Sequence, residues 1–284
     1  MSLEQVELLE ATEHPYDKYL RNDRLPWIFC AGCGIGSVIN SFVHALQQAK
    51  LNLNKCAVVS GIGCTGRASG YLNFDGFHTT HGRAIPFATG LKIANPELNV
   101  SVISGDGDLS AIGGNHIIHA ARRNVDMTVV CVNNSNYGMT GGQFAPTTPV
   151  GSWTTTTPYG AFEPPFNLPH LVTSAGAVYV ARWTSLDVRR LTDSIAEALG
   201  KHGFKFIEVI SQCPTTFGAK NNYRTGLDML KYFEKAATIK HGIDPKEAPY
   251  VVGQPFYVGK FVDIEGRPTF TDLLAQVKQK ASMK

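Results

Sequence analysis

The spacing of hydrophobic residues changes along the chain, and the changes mark the elements. From Ile35 the apolar residues Ile35, Val38, Ile39, Phe42, Val43 and Leu46 recur at i, i+3, i+4 and i+7. That is the spacing of an amphipathic helix with one buried face. Residues 57–60 form a short apolar run, read as a buried strand, that ends in Gly61-Ile62-Gly63-Cys64. The pattern then predicts a helix over Ala84–Ala94, a strand over 100–104, a helix over 111–123 and a strand over Met127–Asn133. Two more strands, 177–183 and 206–211, flank an amphipathic helix near 185–202. After Cys213 the pattern turns irregular, with helices expected near 226–237 and 270–281.

Short β-rich runs alternating with helices predict an α/β fold, a parallel sheet with helices on both faces. Ligands of such sheets sit in loops beyond the carboxyl ends of the strands. Every Gly-rich loop above falls at such an end. Three parts are expected: an irregular arm over 1–26, a ligand-binding domain over 27–218, and an irregular extension over 219–284 that packs on a partner. The Pro- and Thr-rich stretch 140–169 is too long for a plain connection and reads as a lid or partner surface.

Composition narrows the function. Hydrophobic residues make up 43% and charged ones 17% of 284 residues, enough for a sizeable core, which excludes a disordered or fibrous chain. The 26 basic and 23 acidic side chains are too balanced for a binder of nucleic acid or anionic membrane. No apolar run reaches the roughly 18 residues of a membrane span, and the polar, acidic start has no signal-peptide core. A cytoplasmic location is the expectation. Six cysteines in such a chain read as ligands or core thiols rather than disulfides.

The first chemical constellation is Gly105-Asp106-Gly107-Asp108, a strand running into a tight turn and a helix. Helix N-terminal N–H groups attract phosphate, and glycines let a ligand approach closely. A bare carboxylate would repel that phosphate, whereas Mg²⁺ between them makes Asp106 a ligand. Asn133-Asn134 ends the following strand, which brings both loops to one sheet edge. The side-chain oxygen of Asn134 and the main-chain oxygen of Asn136 can then complete the metal shell.

The second is a set of cysteines. Cys30 and Cys33 form a C-x₂-C before a helix, Cys64 lies in a Gly-rich loop, and Cys213 precedes Pro214. Four thiolates suit tetrahedral zinc or an iron–sulfur cluster. Structural zinc usually takes two local pairs, whereas here only one pair is local, so a [4Fe–4S] cluster fits better than zinc. Cys56 and Cys131, in or beside apolar runs, read as core thiols.

Gly-Asp-Gly, the 25 residues 108–132 and Asn-Asn resemble the thiamine-diphosphate motif. Together with Cys30-Ala-Gly-Cys33-Gly, Gly61-Ile-Gly-Cys64, His81-Gly-Arg83-Ala, the stretch from Asn133 to Gln143 and Cys213-Pro214, the chain resembles the β subunits of 2-oxoacid:ferredoxin oxidoreductases over roughly 26–218. The resemblance implies a thiamine-diphosphate-binding fold of the pyrophosphate type. Cys30, Cys33, Cys64 and Cys213 match the family's cluster ligands, and Asp106 and Asn134 match its metal ligands. Loops with Ile62, Gly63, Cys64, His81, Gly105, Gly107, Asp108, Tyr137, Gly138, Met139 and Thr140 match those that wrap the cofactor.

It further implies coenzyme A-dependent oxidative decarboxylation of a 2-oxoacid, or its reverse, with electrons passing one at a time through the single cluster to ferredoxin. A larger α subunit would supply the glutamate on the cofactor's pyrimidine ring, in an (αβ)₂ heterotetramer, and this chain alone would be inactive. Arg67, three residues after Cys64, could pair with a second substrate carboxylate, which favours 2-oxoglutarate over pyruvate. The His78-Thr-Thr-His81-Gly-Arg83 stretch resembles the 2-oxoglutarate branch. His81 could hydrogen-bond a developing oxyanion, against a plain structural role; His116 and His119 read as packing residues. Pyruvate or broad 2-oxoacid chemistry, a non-oxidative thiamine decarboxylase with structural zinc, and a non-catalytic electron-transfer subunit stand as alternatives.

Overall fold

β4 (Met127–Asn133) is buried at all seven positions, and its side chains divide between two hydrophobic cores. Val130 and Val132 face one core; Met127, Val129 and Cys131 face the other. Full burial of each such aliphatic side chain stabilises the fold by about 2 kcal/mol. A strand buried on both faces needs helices on both sides, and the computed structural model, which describes residues 15–283, provides them.

α1 (Ile35–Gln48), α5 (Val188–Leu199) and α6 (Gly226–Ala236) cover the first core. α2 (Ala84–Ala94), α3 (Gly114–Arg123) and α4 (Leu168–Ser174) cover the second. Between them lie β1 (Cys56–Ser60), β2 (Asp75–His78), β3 (Asn99–Gly105), β4, β5 (Tyr179–Thr184), β6 (Phe204–Ile210), β7 (Ala237–Ile239) and β8 (Phe256–Asp263), in the order β2-β1-β3-β4-β6-β5-β8-β7. Pairing is parallel from β2 through to β5, antiparallel between β5 and β8, and parallel between β8 and β7. α7 (Phe270–Ser282) follows, with both halves of a capping box on Thr269 and Asp272. The doubly covered, mostly parallel sheet is the architecture that the sequence pattern predicts.

The differences have local causes. The helix expected from 111 begins as a π-helical turn, Asp108–Ile112, before α3. The stretch after 213, expected to be irregular, supplies β7 and β8, so it completes this chain's own sheet. Gly259 in β8 and a shift of register between Val180 and Ala181 of β5 break the alternation that would have flagged the strand. α4 lies at the end of the 140–169 stretch, with Pro169 in its first turn. The first half of the expected arm, residues 1–14, lies outside the described residues. Among the described residues, no helix is long and apolar enough to cross a membrane.

Candidate active site

The carboxyl ends of β1, β3 and β4 open into a cavity of about 80 Å³. Every residue assigned to the cofactor from the sequence lines it: Ile62, Gly63, Cys64 and His81 from the β1 side, the four residues Gly105–Asp108 beyond β3, and Asn134, Asn136, Tyr137, Gly138, Met139 and Thr140 beyond β4. Thr65 joins them, and sequence reasoning missed it.

Asp106 is buried at the floor. Burial pushes its carboxyl up to about 7, against hydrogen bonds from the Thr147 hydroxyl and the Gly107 and Asn134 backbones, which favour the charged form. Among the described residues, no cationic side chain is paired with it. The Asn134 side-chain oxygen instead faces the Asp106 carboxylate at 3.3 Å and the Asn136 main-chain oxygen at 2.7 Å. Three oxygens aimed at one another repel unless the amide turns round or a cation lies among them. This donor set of carboxylate, amide oxygen and carbonyl suits Mg²⁺, which keeps its remaining positions for phosphate and water.

The loop that carries these oxygens is fixed from beneath. Asn133 donates from Nδ2 to Glu208 at 2.8 Å, and Glu208 forms a fully buried ion pair with Arg182 at 2.6 Å. The backbone N–H of Ser135, whose φ is +62°, donates to Asn133 Oδ1 at 3.1 Å. Thr148 donates to the carbonyl of Ser135 at 2.7 Å. Thr147 and Thr148 arrive from the long 140–169 stretch, which is therefore built into the site. No local sequence signal points to either threonine.

Asp108 has a different part from Asp106. Its carboxylate accepts from Gly82 N–H at 2.7 Å, Ile62 N–H at 3.3 Å and the Ser104 hydroxyl at 2.5 Å. His81 Nδ1 lies 2.6 Å from it, a close but poorly aligned contact. Asp108 thus ties three loops together, and Gly61 must be glycine there, because a Cβ would lie 1.8 Å from Asp108 Oδ2. With Nδ1 turned to Asp108, the free ring nitrogen of His81 is Nε2. Tyr137 donates its hydroxyl to the Gly107 carbonyl at 3.1 Å and closes one side.

The four assigned cysteines gather beside this cavity. Cys33 N–H bonds the Cys30 carbonyl at 3.0 Å across the turn at Gly32, and Gly34 N–H bonds the carbonyl of Gln212, next to Cys213, at 3.2 Å. Burial pushes Cys33 up to about 12, and the thiols of Cys213, Cys64 and Cys30 add to the rise. Cys64 is pushed up to about 11 by burial and by Cys213 and Cys30, partly offset by Arg67. Cys33 and Cys64 therefore resist ionisation beside the other thiols, a conflict that bound cations relieve. Among the described residues, no three His, Cys, Asp or Glu side chains converge closely enough to hold one ion. Cys64 lines the cavity as well, and a Cβ on the cavity residue Gly138 would lie 3.4 Å from Cys213 Sγ. Cavity and thiols thus share a wall. Cys56 and Cys131 are buried in the two cores.

Arg67 is not among the cavity residues. It is exposed on the 3₁₀ turn Thr65–Tyr71, where its nearest charged effect is on Cys64.

Three comparisons bear on identity. Residues 61–209 match the model of the thiamine pyrophosphate enzyme C-terminal TPP binding domain. The 2-oxoglutarate synthase subunit KorB of Methanothermobacter marburgensis is 54% identical over 93% of this chain and 92% of its own length. The same subunit of Methanocaldococcus jannaschii is 49% identical over 94% and 98%. A solved 2-oxoglutarate:ferredoxin oxidoreductase of Magnetococcus marinus, with 2-oxoglutarate, coenzyme A and succinyl-CoA bound, superposes with a TM-score of 0.84 at 30% identity, covering 99% of this chain and 94% of that one.

Proposed function

The chain belongs to the β subunits of 2-oxoglutarate:ferredoxin oxidoreductase, that is 2-oxoglutarate synthase, a thiamine pyrophosphate enzyme, and from that premise we propose how its residues divide the work. The reaction is coenzyme A-dependent oxidative decarboxylation of 2-oxoglutarate to succinyl-CoA, or its reverse, with ferredoxin as the electron carrier. Asp106, Asn134 and the Asn136 carbonyl hold Mg²⁺ against the diphosphate. Cys30, Cys33, Cys64 and Cys213 hold one [4Fe–4S] cluster. The observation that carries the reading is that Asp106, Asn134 and the Asn136 carbonyl meet in a cavity that shares a wall with the gathered Cys30, Cys33, Cys64 and Cys213.

Thiamine diphosphate, when bound, supplies the carbon nucleophile that decarboxylation of a 2-oxoacid needs. The chain's own groups bind and orient. Glycines at 105 and 107 let phosphate approach the backbone, and Tyr137 and Met139 cover the cavity. His81 stands at the cavity with Nδ1 against Asp108 and Nε2 free, and Nε2 donates to oxygen charge that develops in the substrate only when both ring nitrogens carry a proton. Arg67 can meet the second carboxylate of 2-oxoglutarate only if the substrate extends past Cys64. One local cysteine pair with Cys64 and Cys213 far along the chain suits a four-iron cage better than structural zinc, which usually takes two local pairs.

An α subunit supplies the glutamate for the pyrimidine ring, in a cytoplasmic (αβ)₂ assembly. The exposed Trp153, Tyr159 and Phe162 of the long loop, and Leu273 and Val277 of α7, are the surfaces we assign to it. The test is anaerobic purification with the α subunit, metal and thiamine quantification, and a substrate panel. Roughly four irons per chain and viologen reduction with 2-oxoglutarate and coenzyme A are expected. Turnover confined to pyruvate would overturn the substrate, and zinc without iron would overturn the cluster.

A further inference from the structure

Cys213 has a hydroxyl partner that is also reached from the cation loop. Thr216, in the π-helical turn Pro214–Gly218, sets its Oγ1 3.0 Å from Cys213 Sγ. The same Oγ1 accepts a hydrogen bond from Asn136 Nδ2 at 2.9 Å. Asn136 is buried, and its main-chain oxygen stands among the three facing oxygens. A hydroxyl that accepts one bond keeps its own proton to donate. A sulfur bonded to iron carries no proton and can only accept. The direction is then fixed: Asn136 amide to Thr216 hydroxyl, Thr216 hydroxyl to Cys213 sulfur.

Packing holds the hydroxyl in place. A Cβ on Gly142 would lie 2.9 Å from Thr216 Cβ, and one on Gly138 would lie 3.6 Å from Thr216 Oγ1. Both glycines belong to the turn that follows Asn136, so the backbone there fits closely around the threonine. Two of the other sulfurs have donors of another kind: Cys33 takes the N–H of Ile35 and Cys64 its own N–H, both main-chain groups. Thr216 therefore offers a donor that a side-chain substitution can remove without touching the backbone.

Resting on the proposed function above, we infer that Thr216 is a positioning residue that sets the reduction potential of the cluster through an O–H···S bond to Cys213. Reduction adds negative charge that spreads onto the cysteine sulfurs, so a donor at a sulfur stabilises the reduced state more than the oxidised one. Losing that donor shifts the potential in the negative direction and makes the cluster a poorer acceptor of electrons from the substrate.

The experiment is an EPR-monitored redox titration of the anaerobic αβ holoenzyme, comparing wild type with Thr216→Val, which keeps the shape without the hydroxyl, and Thr216→Ser, which keeps the hydroxyl. The expected result is a more negative potential in Thr216→Val at unchanged iron content, with Thr216→Ser close to wild type. Should Thr216→Val fail to hold iron, Thr216→Ala is read in the same way. A cluster lost from both hydroxyl-free variants and kept by Thr216→Ser supports the inference; one lost from Thr216→Ser as well overturns it. A full cluster at the wild-type potential in Thr216→Val overturns this inference alone, whereas wild-type holoenzyme without iron takes the proposed function down with it.

Discussion

Two aspartates, Asp106 buried and Asp126 half-buried, stand at opposite ends of the same sheet and have opposite electrostatics. Asp126 precedes β4 at its amino end, and Asp106 follows β3 at its carboxyl end. Burial would raise Asp126, but the Lys205 ammonium at 2.6 Å and the Lys92 ammonium at 3.0 Å outweigh it and hold the carboxyl at about 2. Burial raises Asp106 to about 7, because hydroxyl and amide donors cannot replace a cation. A carboxylate that the fold pairs with its own lysines is structural. One left facing other oxygens is, in the function proposed above, a place kept for a cation from outside.

The largest expected effect breaks the functional half of this comparison. Asp106→Ala should weaken Mg²⁺-dependent binding of thiamine diphosphate by more than about 100-fold, while the visible iron–sulfur absorbance stays. Calorimetry and absorbance on the anaerobic complex check both, and full turnover in the variant would remove Asp106 from the metal site. Asp126→Asn breaks the structural half. It leaves two buried ammoniums facing each other and should lower unfolding stability by about 3 kcal/mol in denaturant melts, with cofactor affinity unchanged.

Acid titration sharpens the contrast through its sign. The Asp126 carboxyl drops from 3.8 to about 2 on folding, so its contribution of roughly 2 kcal/mol is fully present above about pH 4. It is lost as pH falls toward 2, and Asp126→Asn should lack this acid limb when melting is followed against pH. Asp106 runs the other way. Its folded value lies above its unfolded one, so the cation-free chain loses stability as pH rises from 3.8 toward 7, and Mg²⁺ with thiamine diphosphate should flatten that limb. The smallest effect is Cys56→Ala, a thiol buried among aliphatic neighbours, which should cost about 1 kcal/mol and leave the iron content as it was.

Much of this was legible in the residues because the physics was local. β4 was bounded correctly because a strand buried on both faces is an unbroken apolar run, and α2 because its apolar stretch has a clear start and stop. Asp106 and Asn134 meet in one cavity, as the sequence predicts, because each follows a strand that points to the same edge. β2 was missed: it is a four-residue edge strand, exposed throughout, with a glycine in the middle. Thr147 was missed because it reaches Asp106 across 41 positions of irregular chain, and nothing in its neighbours records the contact. Thr216 lies three residues past Cys213, yet its bond to Asn136 spans 80 positions. Arg67 is placed at the cofactor mouth by its distance to Cys64 in sequence; in the structure it is exposed on the 3₁₀ turn and does not line the cavity.

The central claim is that three facing oxygens hold a divalent cation for the diphosphate. Mn²⁺ in place of Mg²⁺ makes this visible: titrate it with thiamine diphosphate into the anaerobic holoenzyme and into its Asp106→Asn variant, and follow bound metal by EPR. The account predicts one Mn²⁺ per β subunit, bound tightly only with the diphosphate present and lost in the variant. Binding of equal strength in Asp106→Asn would contradict it.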